Sequence, residues 1–93
     1  MAELSANLLF NVATCFFNES KWKEAELIYN EAITVNPYYV KALYKRALAR
    51  FYLNEYETAM ADIKLAHSYD EKNVNIKESY EMIRLKYNEE KKK

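Results

Sequence analysis

A chain of 93 residues that is 51% apolar and carries no formal net charge has room for one domain and one core. The absence of glycine and the single proline exclude Gly-rich phosphate loops, dinucleotide fingerprints and tight β-hairpin turns, and the neutral balance argues against a general nucleic-acid binder. One cysteine, Cys15, excludes an internal disulfide and points to a reducing compartment, the cytoplasm or the nucleus, while no apolar run is long enough for a bilayer span and no secretory pattern opens the chain.

Taken in chain order, residues Leu4 to Phe17 read as a continuous helix ended by the polar cluster Asn18-Glu19-Ser20. A second helix over Lys21 to Val35 carries Trp22, Ala25, Ile28, Tyr29, Ala32 and Ile33 along one stripe. Asn36-Pro37 reads as an N-cap followed by proline at the first helical position, opening a third helix that runs to about Leu53. Asn54 with Glu57 resembles a capping box and starts a fourth helix ending near Tyr69. After the polar turn from Asp70 to Asn73, a last helix from about Val74 places Ile76, Tyr80, Ile83 and Tyr87 on one side and runs into Lys91-Lys92-Lys93.

These helices are two copies of one unit. Leu9, Ala13, Phe17, Trp22, Ala25, Tyr29, Ala32 and Pro37 are answered, at one constant offset, by Leu43, Ala47, Phe51, Tyr56, Ala59, Ile63, Ala66 and Glu71. A fixed period of about 34 residues marks a solenoid of helical hairpins, whose units bury their apolar faces only by stacking and so create a concave binding surface. The expected fold is all-α, an α-α superhelix: one domain over 1–93, with repeats at 6–39 and 40–73 and a capping helix at about 74–91. Alanines at 13, 25, 32, 47, 59 and 66 let helix backbones approach closely, and Tyr29 and Ile63 plug the space between units.

The third helix carries Lys41, Lys45, Arg46 and Arg50 and no acid. Like charges four apart destabilise a helix by about 0.2–0.5 kcal/mol per pair, so acids of a neighbouring helix or an anionic ligand must offset them. Arg46 and Arg50 face the following helix, where Glu55, Glu57 and Asp62 are the expected partners. Lys41 and Lys45 fall on the concave line, and Asn11 precedes Lys45 by one period. Two ammonium groups and an amide in a groove suit a peptide carboxylate; the plainer reading of both lysines is a solvated helix face. Asn7, Phe10, Thr14, Tyr44 and Leu48 line the same groove, with inter-repeat packing the alternative role for all five and the stronger one for Phe10 and Leu48.

The recurring small residues, the aromatics Trp22 and Tyr56 before each second helix, and Pro37 resemble the tetratricopeptide repeat. Leu9 and Leu43 stand where that pattern has tryptophan, Ala13 and Ala47 where it has glycine, and Glu71 where it has a second proline. More narrowly, Asn11-Val-Ala-Thr-Cys15 and Val40-Lys-Ala-Leu-Tyr-Lys-Arg46 are similar to the co-chaperone branch, which includes immunophilin-type prolyl isomerases and aryl-hydrocarbon-receptor-interacting proteins. Domains of that branch have three repeats and a capping helix, so the resemblance starts this chain at the second repeat. It also implies a carboxylate clamp for the C-terminal Glu-Glu-Val-Asp peptide of heat-shock chaperones, with Asn11, Lys41 and Lys45 matching three of its five positions. The other two, a lysine and an asparagine of a first repeat, have no counterpart here.

Nothing in the sequence nominates a catalytic residue, a cofactor or a metal site. Cys15, inside an apolar helix, reads as a buried structural thiol, and one cysteine with one histidine, His67, builds no usual zinc site. Any isomerase chemistry would belong to a parent protein outside these residues. The last helix reads as a solvated cap, or as a basic helix for calmodulin or an acidic surface. The rival to peptide binding is a scaffold: Leu8, Leu9, Val12 and Phe16 on the first helix are expected to be partly uncovered, and such patches pair, giving a homodimer.

Overall fold

A computed structural model describes residues 5–91 as five helices: α1 (Ala6–Asn18), α2 (Trp22–Val35), α3 (Val40–Tyr52), α4 (Tyr56–Tyr69) and α5 (Val74–Lys91). Leu4, the expected start of the first helix, and Lys92-Lys93 lie outside the described residues. α1 pairs with α2 and α3 with α4, while α1, α3 and α5 also touch along one side of a body measuring 50 × 28 × 18 Å. This is the all-α superhelix that the period requires.

The period is written into the turns as well as the core. Ser20 and Asn54, one period apart, are the two described residues with positive φ, at 62° and 65°. Each follows the last turn of a first helix. Ser20 N–H donates to Phe17 O and Lys21 N–H to Phe16 O, and Asn54 and Glu55 do the same to Phe51 and Arg50. This left-handed cap satisfies the helix-end carbonyls without glycine. Asn54 therefore closes α3 rather than opening α4, whose N-cap is Glu55 without a side-chain bond, so the expected capping box does not form. Asn36-Pro37 is displaced likewise. Asn36 caps the C-terminus of α2, its Oδ1 accepts the Tyr38 N–H, and α3 begins only at Val40. The Asn36 side chain takes a backbone donor and that of Asn54 takes the Tyr56 hydroxyl, and asparagine also tolerates the left-handed backbone, which makes it as good a stop as a start.

Each unit has its own core. Leu9, Ala13, Ala25, Tyr29 and Ala32 enclose the first with Ala42 of the next unit; Leu43, Ala47, Ala59, Met60, Ile63 and Ala66 enclose the second with Ile76 and Ile83 of α5. The alanines at 13, 25, 32, 47, 59 and 66, together with Tyr29 and Ile63, are fully buried. Two expectations change. Leu9 is buried instead of partly exposed, and Cys15 is exposed instead of buried.

The register explains Cys15. α3 buries Ala42 and Ala49, and α5 buries Ile76 and Ile83 one period later. One period upstream of Ala42 and Ala49 stand Leu8 and Cys15. Nothing among the described residues covers that face, so Leu8 is 54% and Val12 48% exposed. At the other end the copies of Leu43 and Ala47, which face α4, are Lys77 and Glu81, both exposed and charged. The solenoid thus presents an apolar face on α1 and a solvated one on α5.

Candidate functional site

The four cations of α3 divide by helix face. Arg46 grips Asp62 with two prongs, Nε to Oδ2 at 2.8 Å and Nη2 to Oδ1 at 2.7 Å, and its Nη1 reaches Asn30 Oδ1 at 2.9 Å. Arg50 donates from Nη1 to Asp62 Oδ2 at 2.8 Å and from Nε to Glu26 Oε2 at 2.7 Å, while Lys23 Nζ meets Glu26 Oε1 at 2.9 Å. Asp62 and Glu26 are 5% and 4% exposed, so this is a buried network joining α2, α3 and α4. Burial would raise the Glu26 carboxyl, but the hydrogen bonds and charges of Arg50 and Lys23 outweigh it and hold it below its ordinary range.

Asp62 is the partner the sequence expects; Glu55 and Glu57 stay exposed and make no bond to either arginine. Glu26 is the functional group of this network that pattern reading misses. Its one signal was an acid lying between Ala25 and Tyr29 on an otherwise apolar stripe.

Lys41 and Lys45 meet no carboxylate among the described residues. Lys45 Nζ sits 4.6 Å from the Phe17 ring centroid and 6.0 Å from that of Tyr44. Exposed Lys41 lines an open cavity of about 390 Å³ with Tyr38, Tyr39, Tyr44 and Asn73. Asn11 is exposed on α1 and makes no side-chain hydrogen bond among the described residues, to Lys45 or otherwise.

The remaining groove residues form a linked wall. Tyr39 donates its hydroxyl to Asn7 Oδ1 at 2.8 Å, and its ring stacks on Phe10 at 5.4 Å. Phe10 leans on Tyr29, and Thr14 Oγ1 donates to Phe10 O while it accepts from the Tyr29 hydroxyl at 2.9 Å. Ser79 of α5 donates to the Tyr44 hydroxyl at 3.4 Å, and Leu48 is half-buried. Phe10 thus packs on Tyr29 and Tyr39, which both lie within the repeat at 6–39.

No family model matches the chain. Solved structures do. The first TPR of Spaghetti (RPAP3), bound to the HSP90 peptide SRMEEVD, is 27% identical with a TM-score of 0.87, over 90% of this chain and 67% of that one. The second TPR domain of human RPAP3, in complex with the HSP70 peptide SGPTIEEVD, is 26% identical with a TM-score of 0.82, over 86% and 67%. The C-terminal TPR-containing domain of a Plasmodium falciparum FK506-binding protein is 30% identical with a TM-score of 0.89, over 95% of this chain and 58% of that one. The chain is a tetratricopeptide-repeat domain.

As a tetratricopeptide-repeat domain it is similar to those of co-chaperones and immunophilins, and it spans about two thirds or less of these neighbours' lengths. Among its described residues no helix is long and apolar enough to cross a membrane, and no group of three or more His, Cys, Asp or Glu is placed to hold a metal. His67 packs its ring on Tyr80 at 5.6 Å. At Asn11, Lys41 and Lys45 the repeat surface carries an amide and two cations on a chain that is charge-balanced overall.

Proposed function

We propose that this domain binds the acidic C-terminal peptide of a heat-shock chaperone, of the Glu-Glu-Val-Asp type, as the interaction module of a co-chaperone or immunophilin. Asn11, Lys41 and Lys45 form a partial carboxylate clamp. The observation that carries this reading is the division of α3: both arginines are bound to buried carboxylates, while both lysines have none among the described residues. An arriving carboxylate relieves the repulsion between Lys41 and Lys45 and accepts charge-assisted hydrogen bonds from them, and the Asn11 amide adds a neutral donor. Peptides ending in the same residues occupy two of the similar domains, which supports the ligand class.

Isothermal titration with a Glu-Glu-Val-Asp peptide and its C-terminally amidated form tests the proposal. The free carboxylate is expected to bind more tightly, and Lys45→Ala to weaken it about tenfold, the scale of one hydrogen bond to a charged group. Equal affinity for both peptides, or no change on Lys45→Ala, would sink it.

A second reading, self-association, is favoured by the uncovered face of α1. Leu8, Val12 and half-buried Phe16 are spaced four apart, so a second copy of the stripe is its own complement. Cys15 on that face is the reporter. Concentration-dependent dimers in sedimentation, with a Cys15–Cys15 cross-link on mild oxidation, are expected; a monomer at all concentrations refutes the idea.

A further inference from the structure

We infer that Phe17 is the positioning residue for the Lys45 ammonium, and so sets how well this groove holds a carboxylate. The inference rests on the clamp reading above. A lysine has a flexible four-carbon stem and offers a point charge in place of the planar fork of arginine, so a lysine in a carboxylate site loses rotamer freedom when it binds. Here that freedom is already restricted. The ammonium lies 4.6 Å from the Phe17 centroid, well inside the reach of a cation over an aromatic face, whereas Tyr44 at 6.0 Å is at its limit.

The ring is itself held. Trp22 meets Phe17 edge-on at 5.0 Å, Tyr52 lies at 6.4 Å, and Trp22 and Tyr52 stack on each other at 4.4 Å and 23°. Phe17 thus belongs to a packed aromatic cluster contributed by α1, α2 and α3, and it offers Lys45 a fixed surface. This also answers where part of the repulsion between Lys41 and Lys45 goes: with no carboxylate near, the negative face of the ring is the partner of Lys45. The ring takes one side of the ammonium and leaves its other N–H donors for an anion. Preorganisation of this kind shows as affinity without a new ligand contact.

The test uses the whole chain, the free-carboxylate and amidated Glu-Glu-Val-Asp peptides, and the variants Phe17→Leu, Phe17→Tyr, Lys45→Ala and the Phe17→Leu/Lys45→Ala double. Phe17→Leu is expected to weaken the free-carboxylate peptide about fivefold, about 1 kcal/mol, and to leave the amidated peptide unchanged. In the Lys45→Ala background the same substitution is expected to do nothing further, and Phe17→Tyr to behave as wild type. Without any peptide, the Lys45 ε-methylene protons are expected upfield of those of the other lysines, and to lose that ring-current shift in Phe17→Leu. Absence of the shift in the wild type overturns the inference, as do independent, additive effects of the two substitutions. If the wild type prefers the free carboxylate but Phe17→Leu changes nothing, the inference falls and the clamp stands. If the wild type does not distinguish the two peptides, the clamp falls and takes the inference with it.

Discussion

Asp62→Ala is expected to destabilise the fold by about 3–5 kcal/mol, the usual cost of breaking a buried ion pair from one side. Asp62 is the shared carboxylate of two arginines, bound to Arg46 at 2.7 and 2.8 Å and to Arg50 at 2.8 Å. Its loss leaves Arg46 with only the neutral Asn30 amide oxygen, and leaves Arg50 with Glu26 alone. Truncating Glu26 costs less, because Arg50 then retains Asp62 and exposed Lys23 returns to water. Against a domain stability of about 5–15 kcal/mol, the Asp62 variant is largely unfolded on warming. Urea unfolding measures this, with Glu81→Ala as the control, since the exposed Arg84–Glu81 pair is worth little. A cost for Asp62→Ala no larger than the control's would show the network to be idle.

The network also gives the acid limit of stability its sign. The folded Glu26 carboxyl titrates below its ordinary value of 4.5, so the unfolded chain binds the proton first as pH falls. The stabilisation is complete above about pH 4.5 and is lost as pH drops through the folded value.

How much of this was legible in the sequence depends on whether a feature repeats. Ala13, Ala25, Ala32 and Tyr29 are answered one period on, and the core assembles as the period dictates because stacking is the one way such units bury their stripes. The arginine partner Glu26 is answered by Met60, and the Arg46–Asp62 pair has no earlier copy, since Val12 and Ile28 stand one period before it. A contact present once leaves no periodic trace. The turns failed for a different reason. Asn36 and Asn54 carry the side chain that either caps a helix start or closes a helix end, and at Asn54 the left-handed backbone closes α3. At the candidate site, helix register nominated Lys41, Lys45 and Asn11, but not that Lys45 leans on Phe17. Side-chain direction depends on which rings the adjacent helix presents, and backbone spacing alone does not carry it.

Tyr29 gives the other large expected effect, and it ties the core to the groove. Its ring is fully buried among Leu9, Ala13, Ala25, Ala32 and Ala42, so Tyr29→Ala should cost about 3–5 kcal/mol, as for other large aromatic truncations. The alanines around it cannot fill the space, because each already sits where two helix backbones approach. Tyr29→Phe removes only the hydroxyl that donates to Thr14 and should cost about 0.5–1.5 kcal/mol at neutral pH. In alkali the order narrows. Burial pushes the Tyr29 phenol up to about 12, from an ordinary value of 10.0, so between these limits the unfolded chain releases a proton that the folded chain keeps. Wild-type stability therefore falls by up to about 1.4 kcal/mol per pH unit from this group alone, and Tyr29→Phe lacks that slope. The gap between wild type and Tyr29→Phe should close and then reverse as pH rises from 10 to 12, because the alkaline loss exceeds the neutral-pH advantage of the hydroxyl. A constant gap would mean that the phenol reaches water in the folded state. Because Tyr29 also backs Phe10, which stacks on the Tyr39 that bonds Asn7, its removal loosens the groove wall from beneath, and peptide affinity should fall with Tyr29→Ala even where the chain remains folded.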